Sequence, residues 1–256
     1  MPHSHVLLGR SEGIATLTLN EPEKRNPLSP QLVGQLLETL AALRADGEAR
    51  VLIVTGAGPA FCAGADIRRF RVMTPMEDRE EYNDIVRLIK GLLHYPKPVI
   101  AAVNGYALGG GCGLVAACDL AIAADSARFG KTEINIGLFP GATMAVLARS
   151  VNRKGLFRLA FTGDIVDAQE ALRLGLVNWV VPASRLMDEA RSLARRLVEK
   201  SATALAFCKE VVNMATELDL DQAIDRGRDL RVLGRTGRDA AEGAAAFLEK
   251  RPPRWE

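Results

Sequence analysis

Residues 99–113 read VIAAVNGYALGGGCG, an apolar run followed shortly by three successive glycines. The unbroken apolar residues 99–103 predict a buried strand, and the glycines at 109–111 are expected to open a helix after it. Because glycine has no side chain, a ligand oxygen can approach the backbone N–H groups of this turn closely. The stretch therefore predicts a strand and a helix joined by a turn whose main chain binds an oxyanion.

A second turn of small residues lies earlier in the chain. Residues 61–66 read FCAGAD and follow another apolar strand at 51–55, so their N–H groups are expected to be exposed in the same way. We expect the two turns to converge on one ligand atom. Glu133 lies within residues 129–137, FGKTEINIG, where apolar neighbours predict a buried acid rather than a surface one.

Strands and helices alternate along most of the chain. Residues 14–19 show the period-two pattern of a strand, and Ser29 with Pro30 is expected to begin a helix. Further strands are predicted at 51–55, 99–103 and 120–124, with a helix through Ile85, Leu88, Ile89 and Leu92. After Pro182 only helices are predicted, at 186–200, 204–218, 220–234 and 240–250. The sequence predicts an α/β core that carries a helical C-terminal part.

The composition of the 256-residue chain is that of a folded globular protein. Its net charge is +2 and 5% of its residues are aromatic, so we expect no nucleic-acid partner. No apolar run has membrane-spanning length, residues 1–5 contain no signal-peptide core, and residues 254–256 are no peroxisomal signal. The cysteines form no C-x-x-C pair and the histidines are scattered. We therefore expect free thiols, no metal site, no membrane association and a cytoplasmic location.

Residues 111–116 also match the G-x-G-x-x-A pattern of dinucleotide-binding turns. In that motif the glycines follow the strand directly, whereas this strand ends near Val103, several residues earlier. No acidic residue stands about 20 positions further on at the end of a second strand, because Asp125 comes too early and Glu133 follows no strand. Dinucleotide binding is therefore disfavoured.

Together these motifs resemble the enoyl-CoA hydratase/isomerase (crotonase) family. The resemblance extends from residues 22–29, PEKRNPLS, through the glycine turn to 161–164, FTGD, and to the C-terminal residues 242–250. It implies an α/β crotonase-like spiral of repeated ββα units in residues 1–195, followed by a helical region in residues 196–256 that forms homotrimers or homohexamers. It also implies an acyl-CoA thioester as substrate and no separate cofactor, since coenzyme A is part of that substrate.

The resemblance assigns the chemistry to three residues. The main-chain N–H groups of Ala65 and Gly110 would donate to the thioester oxygen, and Glu133 would transfer protons. Typical hydratases of the family use a second glutamate, whose position is taken here by Gly113. One carboxylate suffices to move a proton from one carbon to another, whereas hydration normally uses two.

The reaction is therefore left open between hydration of a 2-enoyl-CoA and isomerisation of a 3-enoyl-CoA to the 2-enoyl-CoA. Water could occupy the space beside Gly113, and Tyr82 or one of Glu77, Glu80 and Glu81 could assist. A catalytically silent acyl-CoA binder is the alternative function, and turnover of an enoyl-CoA distinguishes an enzyme from a binder.

Other residues are expected to shape the substrate site. Dehalogenases of the family have an aspartate where this chain has Gly141, so dehalogenation is not expected. Asp66 and Asp119 are interpreted as structural rather than catalytic. Lys24 and Arg25 are expected beside the adenine and phosphates of CoA. The substrate-binding residues that the resemblance implies are Lys24, Arg25, Ala63, Asp66, Ile67, Gly109, Gly113, Pro140, Gly141, Phe247 and Lys250.

Overall fold

The computed structural model describes residues 4–255. Residues 1–3 and Glu256 lie outside the described residues. The expectations that depend on them concern the cellular location and the outer limits of the two domains. The strands within this range are β1 Val6–Ser11, β2 Ile14–Leu19, β3 Val51–Gly56, β4 Ala60–Cys62, β5 Val99–Val103, β6 Tyr106–Leu108, β7 Leu120–Ala124, β8 Arg128–Gly130, β9 Ile165–Asp167 and β10 Trp179–Val181. The α-helices are α1 Pro30–Ala45, α2 Pro75–Leu93, α3 Gly110–Ala117, α4 Gly141–Ser150, α5 Arg153–Thr162, α6 Ala168–Leu174, α7 Leu186–Val198, α8 Ala202–Met214, α9 Leu220–Thr236 and α10 Arg238–Glu249.

The larger of two sheets has six strands in the order β1-β2-β3-β5-β7-β10. β1 runs antiparallel to β2, and every other neighbouring pair is parallel. The central strands are covered on both faces, since all residues of β5 are 0% exposed. This double burial explains why the central strands appear in the sequence as unbroken apolar runs rather than as alternating patterns.

The smaller sheet has four strands in the order β4-β6-β8-β9. Three successive units each contribute a strand to the larger sheet, a strand to the smaller sheet and then a helix, namely β3-β4-α2, β5-β6-α3 and β7-β8-α4. These are the ββα units that the resemblance implies. Sequence periodicity detected only the first strand of each unit, because β4, β6 and β8 have three residues each and are too short to show a pattern.

The predicted helix starts follow from local capping. Ser29 Oγ accepts a hydrogen bond from Leu32 N–H at the beginning of α1, and Pro30 is the first helical residue. At the start of α2, Thr74 and Glu77 form a capping box that the sequence analysis did not identify. α2 and α4 each pack against α3.

The C-terminal helices divide between two packing roles. α7 packs against the larger sheet through Leu186, Ala190, Leu193 and Ala194. α8 packs against α9, and α9 packs against α10.

A division of the chain between residues 195 and 196 stays a prediction. None of the helices within residues 4–255 has both the length and the hydrophobicity that a membrane crossing requires.

Candidate active site

Three turns that carry the expected site residues lie at one edge of the smaller sheet. β4, β6 and β8 are adjacent and parallel, so their carboxyl ends lie side by side, with neighbouring strands about 4.8 Å apart. The segments that follow these strands are 63–65, 109–110 and 131–133, so Glu133 does follow a strand, the short β8, contrary to the expectation from the sequence. The topology therefore brings together segments that are far apart in the sequence.

The turn after β4 contacts the turn after β6. Gly64 has φ +90° and Gly109 has φ +54°, which are conformations that favour glycine. A methyl group at Gly64 would lie 3.1 Å from the Gly110 nitrogen and 2.8 Å from the Leu108 oxygen, so the two backbones touch. Side chains at these turns would force the backbones apart.

The expected donors are placed at this contact. Within residues 4–255, neither the Ala65 N–H nor the Gly110 N–H has a backbone or side-chain acceptor. Gly110 is the first residue of α3, where a helix leaves its N–H groups unpaired and its dipole favours negative charge. Both groups are therefore free to bind a ligand oxygen.

The segment before α1 braces the first turn. Ala63 N–H donates to the Arg25 oxygen at 2.9 Å, and Leu28 N–H donates to the Gly64 oxygen at 2.7 Å. The Asn26 side chain, which is 0% exposed, donates to two carbonyl oxygens of β4. Asn26 was not predicted as a supporting residue, because a single asparagine in a polar segment carries no specific signal.

Glu133 lies beside the second turn. It is part of the 3₁₀ turn Thr132–Ile136, and its side chain is 18% exposed. A methyl group at Gly109 would lie 3.3 Å from Glu133 Oε1, so the carboxylate contacts the same turn that carries the Gly110 N–H. The three residues that the resemblance assigns to the chemistry are thus brought together.

Glu133 has a cationic partner that the sequence analysis missed. The Lys131 side chain is 0% exposed, and its Nζ donates to Glu133 Oε1 at 2.7 Å. The same ammonium group donates to the Gly109 oxygen at 2.8 Å and to Thr143 Oγ1 at 2.9 Å. A lysine in a turn is ordinarily solvent-exposed, so the sequence contained no signal that would identify this one.

The position of the absent second acid is filled by Thr143. This threonine is 2% exposed, and a methyl group at Gly113 would approach its Cγ2 to 2.3 Å. The threonine methyl therefore occupies the space that the sequence analysis left open for a water molecule. A larger side chain at position 113 would require α3 and α4 to separate.

Tyr82 is one of the residues expected to assist, and the charge of Glu133 affects its phenol. Burial raises the pKa of the Tyr82 phenol, and the negative charge of Glu133 adds to that increase. Tyr82 is therefore a neutral hydroxyl that can donate a hydrogen bond. Glu77 caps the start of α2, Glu81 pairs with arginines of the preceding loop, and Glu80 is exposed on the helix.

Five of the expected substrate-binding residues lie in two places. Ala63, Asp66 and Ile67 flank the first turn, and hydrogen bonds from Arg68 lower the pKa of Asp66, as befits a structural pair. Pro140 and Gly141 begin α4, beside Thr143.

The residues expected at CoA are more scattered. The Arg25 guanidinium lies 5.6 Å from the centre of the Tyr106 ring, and Lys24 Nζ lies 3.5 Å from Glu21 Oε1. Phe247 and Lys250 lie at the end of α10. Among residues 4–255, no hydrogen bond or ion pair connects these two residues with the glycine turns.

Comparisons with known proteins all indicate the same family. The family model described as enoyl-CoA hydratase/isomerase matches residues 9–256. The chain is 37% identical to a crotonyl-CoA hydratase of Syntrophomonas wolfei, with 98% of this chain and 97% of that protein covered. It is 36% identical to a 2,3-dehydroadipyl-CoA hydratase of Escherichia coli, with 98% of each covered.

A solved structure shows the same likeness over the whole fold. The enoyl-CoA hydratase of Mycobacterium smegmatis superposes with a TM-score of 0.95, at 36% identity and with 99% of each chain covered. The match therefore includes the C-terminal helices as well as the two sheets. On these grounds the chain belongs to the enoyl-CoA hydratase/isomerase family.

Proposed function

We propose that this protein is an enzyme that acts on an enoyl-CoA thioester, with the N–H groups of Ala65 and Gly110 bound to the thioester oxygen and Glu133 as the proton-transfer group. The convergence of the two glycine turns beside the Glu133 carboxylate is the observation that supports it. Negative charge develops on the thioester oxygen in such reactions, and each fixed donor stabilises it by about 2.7–4 kcal/mol. The proposed reaction uses no cofactor beyond the CoA of its substrate.

Hydration of a 2-enoyl-CoA is the first candidate reaction. The relatives named crotonyl-CoA hydratase and 2,3-dehydroadipyl-CoA hydratase support it. Glu133 would take a proton from water as the water oxygen adds to C3, and the same carboxyl group would then return that proton to C2. Between these two events, the N–H donors would stabilise the negative charge on the thioester oxygen.

Isomerisation of a 3-enoyl-CoA is the second candidate, and the packing of Thr143 against Gly113 favours it. Glu133 would remove a proton from C2 and return it to C4, while the double bond moves to lie between C2 and C3. One carboxylate performs both transfers, so the filled position beside Gly113 is no obstacle. No water molecule has to enter the reaction.

Assays with 2-enoyl and 3-enoyl thioesters of equal chain length test the proposal. Loss of the conjugated thioester absorbance from the 2-enoyl substrate indicates hydration, whereas its appearance from the 3-enoyl substrate indicates isomerisation. If neither substrate reacts while acyl-CoA still binds, the protein is a silent binder and the proposed enzyme function is wrong.

The substitution Glu133→Gln tests the role of the carboxylate. We expect it to lower kcat by about 10²–10⁴-fold, because positioned acid–base groups contribute that much, and to leave acyl-CoA binding intact. Isothermal titration with a non-reactive acyl-CoA measures the binding. Glu170→Gln is the matched control, since Glu170 is 19% exposed and ion-paired on α6. Unchanged kcat in Glu133→Gln would remove Glu133 from the mechanism.

A homotrimeric or homohexameric assembly through the C-terminal helices is part of the proposal. Large apolar side chains of α8 and α9 are exposed, including Val212 at 67%, Leu220 at 74% and Ile224 at 61%. A groove of about 890 Å³ runs between α8, α9 and α10 with largely apolar walls. Exposed apolar surface of this kind marks an interaction site.

A cytoplasmic location is proposed on the chemistry of the cysteines. Cys62, Cys112, Cys118 and Cys208 are all free thiols. A reducing compartment maintains cysteines in this state.

A further inference from the structure

A fully buried ammonium group lies at the centre of the site, where the proposed chemistry assigns it no role. Lys131 is 0% exposed and has no contact with solvent. Burial of a charge is costly unless the charge is paired and hydrogen-bonded. Its three donors are matched by three acceptors, on Gly109, Glu133 and Thr143. Lys131 thus connects the second turn, the acid and α4 through one nitrogen atom.

The bond to Gly109 acts on the oxyanion donor itself. The Gly109 carbonyl and the Gly110 N–H belong to the same peptide group, which is planar, so a fixed carbonyl fixes the direction of the N–H. This peptide stands among successive glycines at 109–111, where no side chain restricts the backbone, and apart from the ammonium the Gly109 oxygen accepts a long hydrogen bond of 3.4 Å from the Gly113 N–H. A cation on the carbonyl oxygen also polarises the peptide and strengthens its N–H as a donor.

The bond to Glu133 distinguishes the two carboxylate oxygens. Oε1 accepts from Lys131 at 2.7 Å. Oε2 is buried and has no hydrogen-bond partner among residues 4–255. One oxygen is therefore held by the ammonium, and the other is the one to which the proposed reaction assigns the proton exchange.

We infer that Lys131 is a positioning residue that orients the Gly110 N–H and the Glu133 carboxylate together, so that donor and base keep one fixed relation to the substrate. The inference rests on the proposed function, because both groups act there on the thioester. Its geometric part is independent of turnover, since it concerns where Glu133 and the Gly109 peptide lie. Thr143 is the third anchor, which keeps the ammonium on the side of α4.

The substitution Lys131→Met tests the inference by kinetics. It keeps the apolar stem and removes the three donors. We expect kcat to fall about 100-fold, because displacement of reacting groups by about 1 Å has that effect, while KM for the thioester changes by less than about threefold, as for a lost transition-state interaction. A folded Lys131→Met variant with a kcat within about threefold of the wild-type value would overturn the inference.

Lys209→Met is the matched control. Lys209 is also nearly buried, with 11% of its side chain exposed, and it donates to the Asp119 carboxylate and to the Leu92 oxygen. Loss of this second lysine is expected to lower stability and to leave kcat within about twofold. A fall in kcat of the same size in both variants would assign the Lys131 effect to general loosening of the fold and overturn the inference.

Two further measurements keep the inference testable if Lys131→Met does not fold or the wild-type protein shows no turnover. Lys131→Gln retains two donors without the charge, and we expect a kcat about tenfold below wild type; a wild-type kcat would overturn the inference. A crystal structure of Lys131→Gln shows the Glu133 carboxylate and the Gly109 peptide directly. Their displacement supports the inference even if no enoyl thioester reacts, and unchanged positions overturn it.

Discussion

Gly113 of α3 lies directly against Thr143 of α4. A methyl group at position 113 would approach Thr143 Cβ to 2.5 Å and Cγ2 to 2.3 Å. The hydroxyl of the same threonine accepts from Lys131. Because Gly113 is small, Thr143 has room to lie against it and to reach the Lys131 ammonium with its hydroxyl. The absence of a second acid at position 113 and the burial of Lys131 therefore both depend on the placement of Thr143.

The substitution Gly113→Ala is expected to destabilise the fold by about 1–3 kcal/mol, since overpacking of a filled interior costs that much. The matched control is Gly91→Ala in α2, where a methyl group would meet no atom within 4 Å. That change should instead stabilise the helix by up to about 1 kcal/mol. Urea unfolding of both variants measures the difference, and equal effects would show that α4 adapts without strain.

At the scale of elements, the ion pair between Lys209 and Asp119 is one of the contacts that attach α8 to the core, beside the start of β5. Asp119 Oδ2 accepts from the Val99 N–H at 2.7 Å and from Lys209 Nζ at 2.8 Å. Lys209 also donates to the Leu92 oxygen at the end of α2. Burial raises the pKa of the Asp119 carboxyl, and the charge of Lys209 opposes that increase. These contacts support the interpretation of Asp119 as structural.

The substitution Asp119→Ala should lower the free energy of unfolding by about 2 kcal/mol, because it leaves the Val99 N–H and the Lys209 ammonium without their acceptor. Lys209→Met should cost less, since Asp119 is 26% exposed and Lys209 only 11%, so water can replace the lost partner of the aspartate more easily. Chemical unfolding curves give both values. The reverse order would contradict this account of the pair.

At the scale of the whole molecule, several of the large exposed apolar residues lie on α8 and α9. Ile224, Val232 and Leu233 of α9 are all more than half exposed. A surface of this kind costs free energy in water unless another chain covers it. The proposed trimer would bury it.

The substitution Ile224→Glu should therefore shift the assembly toward the monomer, because burial of an unpaired carboxylate is unfavourable. Light scattering coupled to size-exclusion chromatography measures the mass, which for the wild-type protein should be three or six times that of one chain. Leu7→Glu on the edge strand β1, where Leu7 is 47% exposed, is the control. A monomeric wild-type protein would refute the proposed assembly.

The sequence predicted the long elements well because their burial repeats over many residues. β2, β5 and β7 lie where the apolar patterns predict them, and α8–α10 differ from their predicted ends by at most four residues. The glycines at 109–111 were recognisable as a local motif, and the resemblance to the family identified the acid at 133. These features depend on neighbours along the chain, which a single sequence contains in full.

The assembly of the site depended on tertiary structure. β4, β6 and β8 are too short to show periodicity, yet their parallel pairing aligns the three turns at one edge. Lys131 appears in the sequence as an ordinary turn lysine, and the space beside Gly113 appears empty. Only packing brings Gly109, Glu133 and Thr143 around the ammonium, because hydrogen-bond acceptors from separate segments meet there after the chain has folded.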